Sequence, residues 1–322
     1  MSKNSLEQFF RVGGSMFGVV FGVSTVMVSQ GFTLPFRGYN VLMDHQPEMP
    51  PHPWDPRTIF VLVSVHLAAL AAPFYFSWSG LLVGVVLYAL TASGITIGYH
   101  RLLTHRSYRA PRWLAYLIVT LASLSAQGGP AVWVAIHRHH HANSDQEEDP
   151  HDASKGFWWS HVGWMLKLTP RRLDDDFTRK RAQDILRDPY YRFLDKQFFP
   201  LSLLLLVVLY QIGGMSWLIW GGFLRIACVF HATWLVNSAA HSYGYRTYAT
   251  RDRSTNCWWV ALLTFGEGWH NNHHAFPRSA RHGLAWWEVD MSWLVLKGLE
   301  KAGLITDLRT PSEEQMHRCQ GL

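Results

Sequence analysis

The chain has 322 residues, of which 48% are hydrophobic and 14% aromatic but only 16% charged, against about 25% charged in a soluble domain. That balance points away from a soluble fold and toward a membrane protein. The net charge of +6 does not indicate nucleic acid, because the basic residues follow a membrane topology instead, and Cys228, Cys257 and Cys319 show neither disulfide nor zinc spacing.

In chain order, residues 1–56 form an N-terminal segment in which 12–34 is apolar, uncharged and rich in Gly and Ser, with no cleavage site of a signal peptide. It reads as an interfacial helix, with a fifth span left open. The membrane domain is expected over 57–322. No Asp, Glu, Lys or Arg occurs between Arg57 and Arg101, enough for two spans at about 58–77 and 80–99 with a turn at "SWSG", 77–80. A second pair is expected at about 197–213 and 216–238, turning at Gly213-Gly214 and placing Arg225 inside the last span, facing the bundle or snorkelling. The apolar stretch 113–134 reads as lying in-plane or tucked into the protein, broken at Gly128-Gly129-Pro130, because a span there would separate the histidines on its two sides.

Residues 101–196 hold fifteen Lys and Arg and residues 241–322 hold nine, while the short turns hold none, so the positive-inside rule places both long segments in the cytoplasm. The expected fold is an all-α integral membrane protein, with four transmembrane helices in two hairpins and a helical cytoplasmic cap over 100–196 and 239–322.

Histidine spacing carries the chemistry. "HRLLTH" contributes His100 and His105, "HRHHH" contributes His137, His140 and His141 with His139 spare, and "HNNHH" contributes His270, His273 and His274. On a helix, positions i, i+3 and i+4 share a face, so each HxxHH can point three imidazoles at one place. His100 and His105 differ by about 140° on an ideal helix, which suits two metals or a helix end. "NSAAH" adds Asn237 and His241. Nine histidines exceed what one ion takes, so two ions with open positions fit better. Imidazole alone does not select the element. Asp145, Glu147, Glu148, Asp149, Asp152 and Glu267 lie near enough to accept the second ring N–H of such ligands. His45, His52 and His317 read as incidental, and His66 and His231 as packed core groups.

The text "GYHRLLTHRSY", "HRHHHANSDQEEDPHDASKGFWWSHVGWM", "TWLVNSAAHSYGYRTY" and "NCWWVALLTFGEGWHNNHHAFPRSARHGLAWWEVD" resembles the integral-membrane fatty acid desaturases, specifically their delta-9 group of bacterial and plant acyl-lipid and animal acyl-CoA enzymes. The likeness covers roughly residues 57 to 305, with wording nearest the cyanobacterial-type and plant branch. It implies two iron ions and O2 as co-substrate, a cis double bond set into a long saturated acyl chain, and no catalytic side chains beyond the metal centre. It implies His100, His105, His137, His140, His141, His241, His270, His273 and His274 as ligands, with Asn237 acting through a water. Gln127, Trp133 and Thr233 would lie at the bend of the acyl tunnel, and Arg138 and Lys167 on the headgroup side.

The chain lacks a third glycine after "GEG", a cysteine set for an iron–sulfur cluster and a fused His-Pro-Gly-Gly module. A separate ferredoxin or cytochrome-type donor with its reductase is therefore expected on the basic cytoplasmic face. The wording favours a lipid-esterified acyl chain, with acyl-CoA as the alternative and a histidine-rich membrane hydroxylase as the remoter one. The expected location is a bacterial inner membrane.

Overall fold

Asp55 starts the first helix: its Oδ1 accepts from Arg57 N at 3.1 Å and Thr58 N at 3.3 Å, and Pro56 occupies the first turn, where its missing N–H costs nothing. The computed structural model describes residues 53–167 and 175–320, together with the pairs 24–25 and 35–36. The expectation for 12–34 lies outside the described residues apart from Ser24–Thr25, which pairs antiparallel with Pro35–Phe36. The helices below belong to one unit, His52–Leu322.

Helix α1 (Pro56–Ala69) is followed by a 3-10 turn at Ala72–Tyr75 and by α2 (Trp78–Ser93), which Ser77 caps by accepting from Gly80 N. The reversal thus precedes "SWSG", of which Ser77 caps α2 and Trp78, Ser79 and Gly80 begin it. The helical rod of α1 is also shorter than the 58–77 expected. Beyond Ser93 the α2 rod continues as a π-wound segment, Gly94–Thr104. Small residues let this rod approach its neighbours closely. Gly80 and Gly84 face Ser216 and Trp220, while Gly94 and Gly98 face Ala122 and Ile118 of α3 (Arg112–Ser123).

The stretch 113–134 is two helices. Helix α3 ends at Ser123, Ala126 and Gly128 take φ of 60° and 101°, and α4 (Pro130–Asn143) begins after them. Asp195 Oδ1 receives the start of α4 through Ala131 N at 2.9 Å and Val132 N at 3.3 Å, a carboxylate at the positive end of a helix. Short α5 (Phe157–His161) and α6 (Asp175–Leu186) lead to α7 (Pro189–Trp217). Residues 189–241 form a 53-residue helical run, about 80 Å if straight, but the chain reverses at Gly214 (φ 60°, ψ −154°). A π-wound turn, Leu218–Leu224, then leads into α8 (Arg225–Ser238), and Gly221 and Gly222 return against Leu209 and Leu206.

Buried Arg225 faces inward. Its Nε donates to Gly221 O at 3.0 Å and its Nη1 to Leu124 O at 2.7 Å, at the negative end of α3. Four shorter helices complete the unit: α9 (Trp258–Leu263), α10 (His270–Ala275), α11 (Met291–Lys301) and α12 (Glu313–Cys319). Trp78–Thr104 and Pro189–His241 are long and apolar enough to cross a membrane; α1, at 14 residues, is not by itself. Phe60, Val63, Leu67 and Leu70 on α1 and Leu203, Leu204, Val207 and Val208 on α7 stand exposed. Contiguous apolar faces of this extent are stable against lipid rather than water.

Candidate metal centre

The nine expected histidines come together, in two groups. His100, His105, His137, His141 and His273 place one nitrogen each within 4.8 Å of one another, and so do His140, His241, His270 and His274. The segments on either side of 113–134 therefore meet: the His100 and His137 ring centroids are 4.5 Å apart.

Each HxxHH divides between the groups instead of serving one place. His137 and His141 go to the first group and His140 to the second; His270 and His274 go to the second and His273 to the first. At 100° per residue, i and i+4 stand only 40° apart, while i+3 falls 60° to the other side. One box can therefore address two neighbouring points. His100 and His105, expected to diverge by about 140°, share the first group with ring centroids 4.7 Å apart. The reason is π winding: His105 N donates to His100 O at 3.1 Å, an i→i+5 bond that stacks the two positions, and His105 stands just past the end of the segment.

Nitrogen separations fit ions. His100 Nε2 and His273 Nε2 are 3.1 Å apart, His273 Nε2 and His141 Nε2 3.0 Å, and His141 Nε2 and His137 Nε2 3.1 Å. In the second group His270 and His274 face each other at 3.0 Å. Two nitrogens bound at about 2.1 Å to one ion at a right angle lie about 3 Å apart. One Nε2 proton cannot serve both neighbours of His273, so hydrogen bonding alone leaves lone pairs facing each other. His105 Nε2, His140 Nε2 and His241 Nε2 are buried without a hydrogen-bond partner among the described residues. Such atoms are costly unless something takes the lone pair. Burial first, and then the neighbouring rings, hold His137, His141, His270 and His273 well below the ordinary imidazole pKa, so they are neutral as metal binding requires.

Carboxylates orient four of the rings through Nδ1. His100 meets Glu267 at 2.7 Å, His140 meets Asp149 at 2.8 Å, His241 meets Asp145 at 2.9 Å and His274 meets Asp252 at 2.7 Å. Asp145, Asp149 and Glu267 were expected; Asp252, 22 positions from its histidine, carries no local signal. Glu147 and Glu148 are exposed, and Asp152 instead accepts from Ser154 N at 2.8 Å. The spacing also misses His282, whose Nδ1 is 3.1 Å from Glu267 Oε2 and whose ring lies 4.5 Å from that of His273. His151, another omission, lies with its ring centroid 4.3 Å from that of His140. Burial would raise the Glu267 carboxyl, but His100, His282 and Arg101 outweigh it and hold it well below the usual carboxylate range. His139 turns away, toward Asn143 and Phe177.

Two cavities reach the first group. One of about 310 Å³ and one of about 50 Å³ share Trp133, His137, Thr233 and Asn237 as lining. Gln127 Nε2 donates to Thr233 Oγ1 at 2.9 Å beside this junction, and Trp133 stacks on His137 with centroids 5.0 Å apart. The expected bend residues therefore stand together, with Asn237 in the same wall. The headgroup expectations differ. Arg138 lines neither cavity, because both Nη atoms are spent on Asp184 at 2.7 and 3.0 Å and on the carbonyls of Arg181 and Leu103. Lys167 Nζ rests 3.6 Å over the Trp54 ring. His66 and His231 are not core groups. His231 is exposed, and the pair is joined at 3.1 Å, with His161 Nε2 3.0 Å from His231 Nδ1.

The fatty acid desaturase family model matches residues 76–305. The chain is 51% identical over 261 residues to the sn-1 stearoyl-lipid 9-desaturase of Anabaena variabilis, covering 80% of this chain and 94% of that one. It is 47% identical over 276 residues to the enzyme of the same name from Synechocystis sp., covering 85% of each chain. To the Delta-9 acyl-lipid desaturase 1 of Arabidopsis thaliana it is 43% identical over 259 residues, 80% of this chain and 85% of that one. With two converging histidine groups beside two apolar cavities that share lining residues, and with these relatives, the chain belongs to the fatty acid desaturase family and is an oxidoreductase.

Proposed function

We propose that this protein is an acyl-lipid delta-9 desaturase, setting a cis double bond into a saturated chain esterified to a membrane lipid. The observation that carries the reading is the junction at Trp133, His137, Thr233 and Asn237, the lining shared by two apolar cavities that reach the five-histidine group. The names of the Anabaena and Synechocystis relatives favour the lipid carrier. The nine histidines would hold two iron ions, with Asn237 beside them through a water. The chemistry such ions supply when bound is reductive activation of O2, so that two hydrogens leave adjacent carbons and two water molecules form, with two electrons and two protons drawn from outside.

The chain's own contribution is position. Trp133 and the Gln127–Thr233 pair hold a bend in the apolar passage, so that a chain lying in it is already kinked where the cis bond forms. Glu267, Asp149, Asp145 and Asp252 fix four imidazoles with Nε2 toward the ions. Apolar walls keep water from the reacting carbons. The topology we propose is four spans in two hairpins, over the domain 57–322, with the histidine cap on the cytoplasmic side of a bacterial inner membrane. A separate ferredoxin or cytochrome-type donor would dock on that basic face.

Expression in a host lacking unsaturated fatty acids, with double bonds mapped by mass spectrometry, tests the reaction. The expected product is a delta-9 cis alkene in extracted phospholipid. A hydroxylated chain, or an alkene confined to the acyl-CoA pool, would replace this reading by one of its rivals.

A further inference from the structure

The larger cavity has a second end. Away from the histidines its wall is built from Arg57, Thr58 and Val61 on α1 and from Phe198 and Phe199 on α7. Arg57 and Phe199 are both exposed, so the cavity reaches the surface between the first turn of α1 and about the third turn of α7. What lies beside that opening is apolar. Phe60 on α1 is 71% exposed and Leu204 on α7 57% exposed, the same faces already assigned to lipid.

Cations stand ahead of this opening on both helices, with Arg192 and Lys196 exposed on α7 before Phe198. Arg57 sits at the start of α1, and Lys167 lies over Trp54, held there because Asp55 N donates to Leu166 O at 2.8 Å. Past these groups the exposed faces of both helices carry only apolar side chains for several turns. This is the profile of a bilayer edge, with a charged rim at headgroup depth and an apolar slot beneath it. A chain carried by a soluble thioester needs a mouth facing water. A chain esterified to a membrane lipid needs one facing the acyl layer, since passing through water is unfavourable at every methylene.

We propose that membrane lipids feed the cavity sideways, through a portal between Arg57–Val61 of α1 and Phe198–Phe199 of α7, with Arg57 meeting the phosphate of the headgroup. The portal rests on the acyl-lipid reading above and extends it to the route of entry. The acyl tail enters past Thr58 and Phe199 and reaches His137 along the apolar wall, while the glycerol and headgroup stay at the membrane surface.

The test blocks the portal in protein that is already folded. Thr58→Cys holoenzyme in nanodiscs of a stearoyl phospholipid, supplied with a reduced donor, is treated with methanethiosulfonate reagents of methyl and benzyl size. Wild type treated identically accounts for Cys228, Cys257 and Cys319, and Phe60→Cys places the same adduct on the outward face of α1. The benzyl adduct at 58 is expected to lower the initial rate of lipid desaturation at least tenfold. Dithiothreitol restores it, metal content does not change, and the Phe60→Cys adduct stays within twofold of wild type. Complete labelling at 58, verified by mass spectrometry, with an unaltered rate would overturn the portal; so would an equal loss from the adduct at 60. Should Thr58→Cys fail to retain metal, Val61→Cys takes its place with the same expectations. Untreated wild type that leaves lipid-bound stearoyl untouched would remove the acyl-lipid reading, and the portal with it.

Discussion

His140 Nδ1 lies 2.8 Å from Asp149 Oδ2, both side chains are almost wholly buried, and His140 Nε2 has no hydrogen-bond partner among the described residues. The carboxylate therefore sets the tautomer that leaves Nε2 free as a donor to an ion. Asp149→Asn keeps the shape and removes the charge. Outer carboxylates of this kind are worth about 10–100-fold in metal affinity. The variant is expected to lose metal from the four-histidine group at chelator concentrations that spare wild type, measured by elemental analysis. Glu147→Gln, at an exposed position two residues earlier, is expected to change nothing.

Chelation should also separate the two groups. Carboxylates back three of the four rings in one group, at His140, His241 and His274, but among the described residues only His100 of the five in the other. A dicationic ion among neutral imidazoles is better compensated where more carboxylates stand behind it. Metal loss during dialysis against a chelator is expected in two phases, the five-histidine group emptying first. Asp252→Asn should merge the phases, and a single phase in wild type would count against the assignment.

Trp133 stands between the two cavities and stacks on His137. Its truncation to Ala leaves two cavities joined by a wider passage, so a chain has more than one way to lie across the centre. Trp133→Ala is expected to spread the double bond over neighbouring positions, read by mass spectrometry, with metal content retained. Product at one position only would show that the bend is set elsewhere.

Gly94 and Gly98 let the α2 rod touch α3, but not equally. A Cβ at 94 would lie 2.4 Å from Ala122 N, which is backbone, whereas at 98 it meets Ile118 Cγ2 at 2.9 Å, the end of a side chain. Overpacking costs about 1–3 kcal/mol, or several degrees in Tm for a chain of this size. Gly94→Ala is expected at the upper end and also to lower metal content, because the same rod carries His100 and His105. Gly98→Ala should be milder in both readouts.

Asp184 is held down to about 2: partial burial acts against this, but hydrogen bonds from Arg138 and Arg106 prevail. A carboxylate depressed in the folded state stabilises it fully above the unfolded pKa of about 3.9 and loses that contribution as pH falls toward 2. Asp184→Asn is expected to lower Tm at pH 7 and to flatten the acid side of the Tm profile. An unchanged profile would show the clamp between α4 and α6 to be dispensable.

Which nine histidines converge was readable from the text of the chain, though His151, His282 and Asp252 beside them were not. Spacing of three, four and five places imidazoles on limited arcs of short helices, and uncharged runs mark where apolar rods must lie. Both are local properties, set by the turn of one helix and by the cost of burying charge. The break at Gly128-Gly129-Pro130 was readable for the same reason, since backbone chemistry decides it within a few residues.

How those side chains sort was decided only by packing. His100 meets His273 across 173 positions and His274 meets Asp252 across 22, and no periodicity reaches that far. The π winding of Gly94–Thr104, which sets His105 edge-on to His100, is not written in the spacing of the two histidines. The fate of Arg138, clamped on Asp184, likewise follows from α6 folding over α4. A helix face fixes a direction around one axis; only the crossing of several axes turns directions into the two points where nine imidazoles converge.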